Sequence, residues 1–288
     1  MEVSPSKLAV RALGRLAPSA LRFLAHRSTI NRGRWPMLSA LRDDPRCRAW
    51  LASLENPTKT RRGFRIYTLA GDLTSDWIKL HGQHEAGTER FILDHLKPGT
   101  ALLDVGANVG YFSLLAATVG RARAVAFEPQ RPVADLLQRS AGHNRVEGLV
   151  RVERLALSDA PATMRMTSCP GNTGRSRLVG SDCAGAEPYP VSVVALDDWL
   201  RDNPVGPVSV CKIDTEGAEL RVLLGMARLL DREGPAVVVE VIDEHLAGFG
   251  ASGRNVCETL KGHGYADVTR RYAPRGDPNR YFERMRGA

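Results

Sequence analysis

The sequence predicts an α/β fold: a doubly wound, mostly parallel sheet with a helical N-terminal extension and a β-hairpin insertion. Three observations predict it. Residues 101–128 read as apolar run, glycine-rich turn, helical pattern, second apolar run and closing Glu128, which is strand, turn, helix, strand, acid. Residues 236–241 are an almost unbroken Val run, as expected of a strand in a sheet buried on both faces, and residues 208–213 read as the core strand before it. Extended and helical patterns then alternate over residues 100–285, the signature of parallel strands joined by crossover helices.

The chain divides at its change of character near Gly63. Residues 1–62 form a basic helical cap and residues 63–288 the main domain. Within the cap, residues 7–28 set Leu and Ala against arginines at helical spacing, interrupted by Pro18. Such a basic, acid-poor segment reads either as a transit or membrane-surface helix or as short helices packed on the main domain. Pro18 and the lack of a cleavage pattern favour packed helices, which also offer a surface for self-association. A second helix spans about 45–54 and ends before Asn56-Pro57.

Phe64, Ile66 and Tyr67 read as a short strand, Gly71-Asp72 as a turn, and residues 75–80 as a further short element. Helix 88–96 follows, stopped by Lys97-Pro98-Gly99-Thr100. His84 and Glu85 stand just ahead of it, where they can line a site. The first core strand, residues 101–103, runs into Asp104 and the turn Gly106-Ala107-Asn108-Val109-Gly110. Glycines there let the backbone approach a ligand without a Cβ in the way. Asn108 occupies the position where a dinucleotide site needs its second glycine for pyrophosphate. A carboxylate ending the next strand, Glu128, suits a ribose diol because it can accept from both hydroxyls.

Helix 132–141, the loop with Asn144 and strand 150–154 come next, then Ala156-Leu157-Ser158-Asp159. Residues 161–190 have a Gly-, Asn- and Ser-rich centre and delay the return to the sheet. Loops beyond about 12–15 residues are usually functional or disordered, and this one reads as a hairpin excursion with a mobile tip near the substrate mouth. Strand 191–196 and a short helix at Asp197-Asp198 precede the fourth core strand, 208–213, which ends in Asp214. A single helix from Thr215 to about Leu230 follows. Strand 236–241, helix 255–262 and strands near 266–270 and 281–283 complete the sheet.

Composition bounds the function. The 288 residues are 43% hydrophobic and 25% charged, ordinary for a globular protein. Five cysteines, at 47, 169, 183, 211 and 257, include no CxxC pair, which argues against a disulfide framework or a structural zinc site and fits a reducing cytoplasm. No apolar run approaches the roughly 18 residues of a membrane span. The net charge is +8, but residues 1–48 hold ten basic against three acidic groups, leaving 30 against 29 in the rest. The body therefore shows no basic stripe for a nucleic acid.

DVGANVGYFS (104–113), FEP (127–129), ALSD (156–159), LDDWL (196–200) and KIDTEGAE (212–219) together resemble the FkbM family of methyltransferases, across about residues 63–241. KIDTEGAE is the most diagnostic stretch, and the N-terminal 60 residues fall outside the likeness. The resemblance implies a class I, Rossmann-like fold, S-adenosylmethionine as cofactor, and methyl transfer, usually to oxygen, on a sugar or a natural product of a secondary-metabolite pathway such as antibiotic biosynthesis. By position, Asp104, Gly106, Asn108 and Gly110 face the methionine part and ribose, Glu128 the ribose hydroxyls, and Asp159 the adenine. Glu85, Ala107, Tyr111, Phe112, Pro129, Asn144, Ala156, Leu157, Ser158 and Asp214 complete the expected cofactor set.

In an open α/β sheet ligands sit outside the carboxyl ends of the strands, so Asp214 is the first candidate for positioning or deprotonating the acceptor. Lys212 shares its strand face, and Glu216 follows, although Glu216 and Glu219 also read as first-turn helix acids favoured by the dipole. Glu240 and His245 stand at and beyond the fifth strand. Asp214, Glu240 and Asp243 are donors that Mg²⁺ accepts, but no spacing demands an ion, and no metal is assigned. Two other functions compete: a nucleic-acid methyltransferase anchored by the basic arm, and a nucleotide-binding oxidoreductase or non-catalytic binding module. The neutral body speaks against the first; Asn108 and KIDTEGAE speak against the second.

Overall fold

A computed structural model describes residues 12, 38–39, 41–169, 171–178, 187–273 and 277–285. The basic segment 7–28, apart from residue 12, and the tip of the excursion, with Cys183, lie outside the described residues. In chain order the elements begin with α1 (Pro45–Ser53), β1 (Thr58–Lys59), β2 (Arg65–Ile66), α2 (Leu73–His81) and α3 (Ala86–His95). The first crossovers are β3 (Ala101–Val105), α4 (Tyr111–Thr118), β4 (Arg123–Phe127), α5 (Arg131–His143) and β5 (Val150–Glu153). The excursion holds β6 (Ala156–Ser158), β7 (Ala162–Thr167), β8 (Arg177–Leu178) and β9 (Tyr189–Ala195), then α6 (Leu196–Asp202). Next come β10 (Val208–Ile213), α7 (Glu219–Leu224), α8 (Ala227–Arg232), β11 (Ala236–Glu240), α9 (Asp243–Ala247), α10 (Gly253–Gly262), β12 (Tyr265–Asp267), α11 (Thr269–Tyr272) and β13 (Asn279–Arg284).

Among the described residues, seven strands form the main sheet, in the order β12-β13-β11-β10-β3-β4-β5. β11, β10, β3, β4 and β5 run parallel, and β13 runs antiparallel to β11. This is the doubly wound, mostly parallel sheet expected. Every residue of β3 is buried, because helices cover both faces. Alternation divides its side chains: Leu102 packs with Leu114, Leu115 and Leu137 on one face, Leu103 and Val105 with Val222, Leu229 and Val256 on the other. Each such leucine contributes about 1.5–3 kcal/mol by burial. The strand order reverses between β3 and β10, so their carboxyl ends open the crevice where such sheets bind ligands.

Several elements differ from expectation. Residues 75–80 belong to a helix, α2, capped by Asp72, whose side chain accepts from Ser75 N. The expected helix 215–230 is two. Gly225 breaks it, where a Cβ would meet the Ser158 carbonyl at 2.0 Å, and Asp197 restarts it by accepting from Arg228 N and Leu229 N. The strand expected at 266–270 is β12 followed by the turn of helix α11. The excursion is more than a hairpin: β7, β8 and β9 join β6 in a separate four-stranded sheet. At the N-terminal side, Leu38, Leu41, Cys47 and Leu51 pack on Trp77 and Leu80 of α2. The β1–β2 hairpin straddles the expected boundary after residue 62. No helix of the described residues is long and apolar enough to cross a membrane.

Candidate active site

Gly106 follows β3 with φ +72°, and a Cβ there would lie 1.8 Å from the Asp214 carbonyl oxygen. Only glycine permits the ends of β3 and β10 to come so close. That contact sets the floor of a pocket at the sheet's switch point, walled by the glycine turn, β4's end, the excursion, and the segment after β10.

At one end stands Glu128. Its Oε2 accepts from Asn108 N at 2.9 Å and its Oε1 from Gln130 N at 2.8 Å, which fixes the carboxylate and leaves further lone pairs for a ligand. Burial pushes this carboxyl up to about 7 against the pull of those amides. Asn108 adopts a left-handed φ of 51°, a conformation Asn tolerates better than most residues. Next to Glu128 the wall is apolar, with Ala156, Leu157, Met166 and Leu178, a slot that suits a flat base.

At the other end charges gather. Lys212 Nζ donates to the Gly106 carbonyl at 2.9 Å and lies 3.1 Å from Asp214 Oδ2 and 3.8 Å from Asp104 Oδ1. Burial works to lower this ammonium's pKa, but the Asp214, Asp104 and Glu85 carboxylates outweigh it and hold it well above the usual lysine range. Glu85, Asp214, Glu216 and Glu240 line the same end. Burial, then the Asp214 and Glu216 charges, push Glu240 up to about 10. Glu216 has a left-handed φ of 58° and stands in a turn before α7, outside the helix, with its Oε2 2.9 Å from His245 Nδ1. Glu219 does begin α7, and it closes that turn by accepting from Thr215 N and Gly217 N.

The structure thus brings Glu85, Gly106, Ala107, Asn108, Tyr111, Phe112, Glu128, Pro129, Ala156, Leu157 and Asp214 to one pocket, with Lys212, Glu216 and Glu240. Five expected cofactor residues are not in its lining. Asp104 is fully buried beneath it, accepting from Ser113 N and Oγ to pin the start of α4. Gly110 packs on Leu137 of α5. Asn144 spends its amide on the Arg65 backbone and the Ser140 carbonyl, tying β2 to α5. Ser158 donates to Asp159, whose carboxylate is near Arg221, because the chain turns away at the end of β6. His245 reaches the site through Glu216, and Asp243 points elsewhere, accepting from Gly253 N.

The polar centre of the excursion, expected near the mouth, also supplies lining residues that the expected cofactor set does not include. Thr173 donates from both N and Oγ1 to Asp72 Oδ1, at 2.6 and 2.9 Å, accepts from Asn108 Nδ2, and takes Gln130 Nε2 on its carbonyl. Asn172, Thr173, Gly174 and Ser176 therefore roof the glycine turn. The only sequence signal was the polar centre of a long insertion. His84, named as a lining candidate, does line the pocket, and its Nδ1 is buried without a hydrogen-bond partner.

Residues 104–266 match the family model described as the methyltransferase FkbM domain. The chain is 32% identical over 216 residues to a 31-O-demethyl-FK506 methyltransferase, FkbM, of Streptomyces tacrolimicus, covering 64% of this chain and 80% of that one. It is 27% identical over 152 residues to the hexuronic acid methyltransferase AglP of Haloferax volcanii, covering 53% of this chain and 60% of that one. Among solved structures, a methyltransferase FkbM from Methylobacillus flagellatus KT aligns over 95% of this chain and 65% of its own, at 14% identity and a TM-score of 0.44.

Proposed function

We propose, since the chain belongs to the FkbM family of methyltransferases, that this enzyme uses S-adenosylmethionine to methylate a hydroxyl of a sugar or natural product. The observation that carries the reading is the polarity of one pocket: Glu128 at one end, and the Lys212–Asp214 pair among carboxylates at the other. In this reading Glu128 accepts from a ribose diol, the apolar slot takes adenine, and the acidic end favours a cationic group. When bound, the cofactor supplies a methyl group activated on a sulfonium. The acidic residues at that end disfavour a pyrophosphate or a phosphodiester chain, which supports this reading over a dinucleotide oxidoreductase or a nucleic-acid enzyme.

The chain's own work is then alignment and proton removal. Holding donor and acceptor in register supplies much of the rate by making the encounter intramolecular. A neutral hydroxyl is a poor nucleophile, and in this reading Asp214 takes its proton. Lys212 holds Asp214 in position. The relatives' names, for 31-O-demethyl-FK506 and a hexuronic acid, support a hydroxylated acceptor. The test is a panel of glycosides, polyketides, amines and RNA incubated with enzyme and S-adenosylmethionine, read by mass for one added methylene unit. Methylation of hydroxyl acceptors is expected; methylation of RNA or amines alone would overturn the proposal.

A further inference from the structure

We propose that Glu216, Glu240 and His245 form a divalent-cation site of the Mn²⁺ type on the acceptor side of the pocket. The three come from separate elements: the turn before α7, the end of β11, and α9. One ligand atom from each lies within 4.8 Å of the other two, and the Glu216 Oε2 to His245 Nδ1 separation is 2.9 Å. Atoms about 2.1 Å from a shared octahedral ion stand about 3 Å apart when adjacent and about 4.2 Å when opposite. The Glu216–His245 separation already fits an adjacent pair of ligands, and the 4.8 Å bound keeps Glu240 near the span of an opposite one. An ion pair between Glu216 and His245 accounts for the short contact but not for Glu240, which converges on the same point.

The backbone is built to make this meeting. Gly217 has φ +122°, and a Cβ there would lie 2.5 Å from the His245 carbonyl oxygen, so the turn can seat on α9 only with glycine at that position. The neighbourhood is also acidic: among the described lining residues Glu85, Asp214, Glu216 and Glu240 stand around the cation Lys212. Lys212 is already held by Gly106, Asp214 and Asp104. One imidazole and two carboxylates suit Mn²⁺, Fe²⁺ or Zn²⁺ better than Ca²⁺ or Mg²⁺, which prefer all-oxygen shells. Its role rests on the methyltransfer reading: an ion here offers open positions to an acceptor hydroxyl and eases the passage of its proton to Asp214.

The test is binding of Mn²⁺ alone to the chelator-treated full chain, followed by loss of the free-ion electron paramagnetic resonance signal. One saturable site is expected, with a dissociation constant in the micromolar range. Glu240→Gln and His245→Ala should each weaken it at least tenfold, while in His245→Ala, which lies outside the pocket lining, S-adenosylhomocysteine affinity measured by calorimetry changes less than threefold. That separate readout distinguishes failure of the metal site from failure of the cofactor assignment. If a variant does not fold, electron spin-echo modulation on the wild type decides, since nitrogen coupling to bound Mn²⁺ is expected from His245. Absence of saturable binding up to millimolar Mn²⁺, binding undiminished in both folded variants, or bound Mn²⁺ without nitrogen coupling would overturn the proposal.

Discussion

Lys212 Nζ lies 3.1 Å from Asp214 Oδ2 while donating to the Gly106 carbonyl, so one ammonium joins the catalytic candidate to the glycine turn. The Asp214 backbone N–H is meanwhile spent on the Val105 carbonyl. The turn that follows is closed by Glu219, leaving Asp214's carboxylate facing the pocket. Asp214→Asn should therefore lower turnover by roughly 10²–10⁴-fold, the size of a general-base contribution. Cofactor affinity should stay within a few-fold. Turnover on any acceptor the wild type methylates, with the cofactor dissociation constant beside it, checks this. Near-normal turnover would remove Asp214 from the chemistry.

Thr173 bridges Asp72 to Asn108 across the roof of the pocket. Thr173→Val keeps the backbone bond to Asp72 and the shape, but loses the hydroxyl's bonds. Each such bond is worth about 0.5–1.5 kcal/mol, so cofactor affinity should fall several-fold and the melting temperature by a few degrees. Unchanged affinity with lowered stability would make the roof a fold element without a part in binding.

The pocket should also respond to pH through Glu128, whose carboxyl burial raises from 4.5 to about 7. A raised carboxyl binds its proton more tightly folded than unfolded. Its contribution to stability is therefore full below about pH 4.5 and lost as pH rises through about 7. Ribose hydroxyls need the ionised form as acceptor, so cofactor binding runs the other way. Affinity for S-adenosylhomocysteine should strengthen from about pH 6 to about pH 8, and Glu128→Gln should flatten that step. A pH-independent wild-type affinity would exclude Glu128 as the ribose acceptor.

The sheet and its site were legible where local pattern and function coincide. Val208–Ile213 and Ala236–Glu240 are buried parallel strands and read so. Gly106, Asn108 and Glu128 follow the strand–turn–helix–strand order that puts them at the switch point. What failed depends on distant chain. Asn144 looked like a loop amide near the cofactor, but its partner is the Arg65 backbone 79 residues away. Thr173 is a roof residue because Asp72, 101 residues earlier, accepts from it. Glu216 left the expected helix because Gly217 must pass under the His245 carbonyl. None of these partners is encoded in spacing.

The central claim is that one pocket, anchored at Glu128, binds S-adenosylmethionine. Calorimetric titration of the full chain with S-adenosylmethionine, S-adenosylhomocysteine and NAD, on wild type and Glu128→Ala, tests it most directly. The two adenosyl compounds should bind at one site and NAD should not. Glu128→Ala should weaken binding about five- to 150-fold, equal to about 1–3 kcal/mol for buried polar partners left unpaired. Binding of NAD in preference, or adenosyl binding indifferent to Glu128→Ala, would contradict the account.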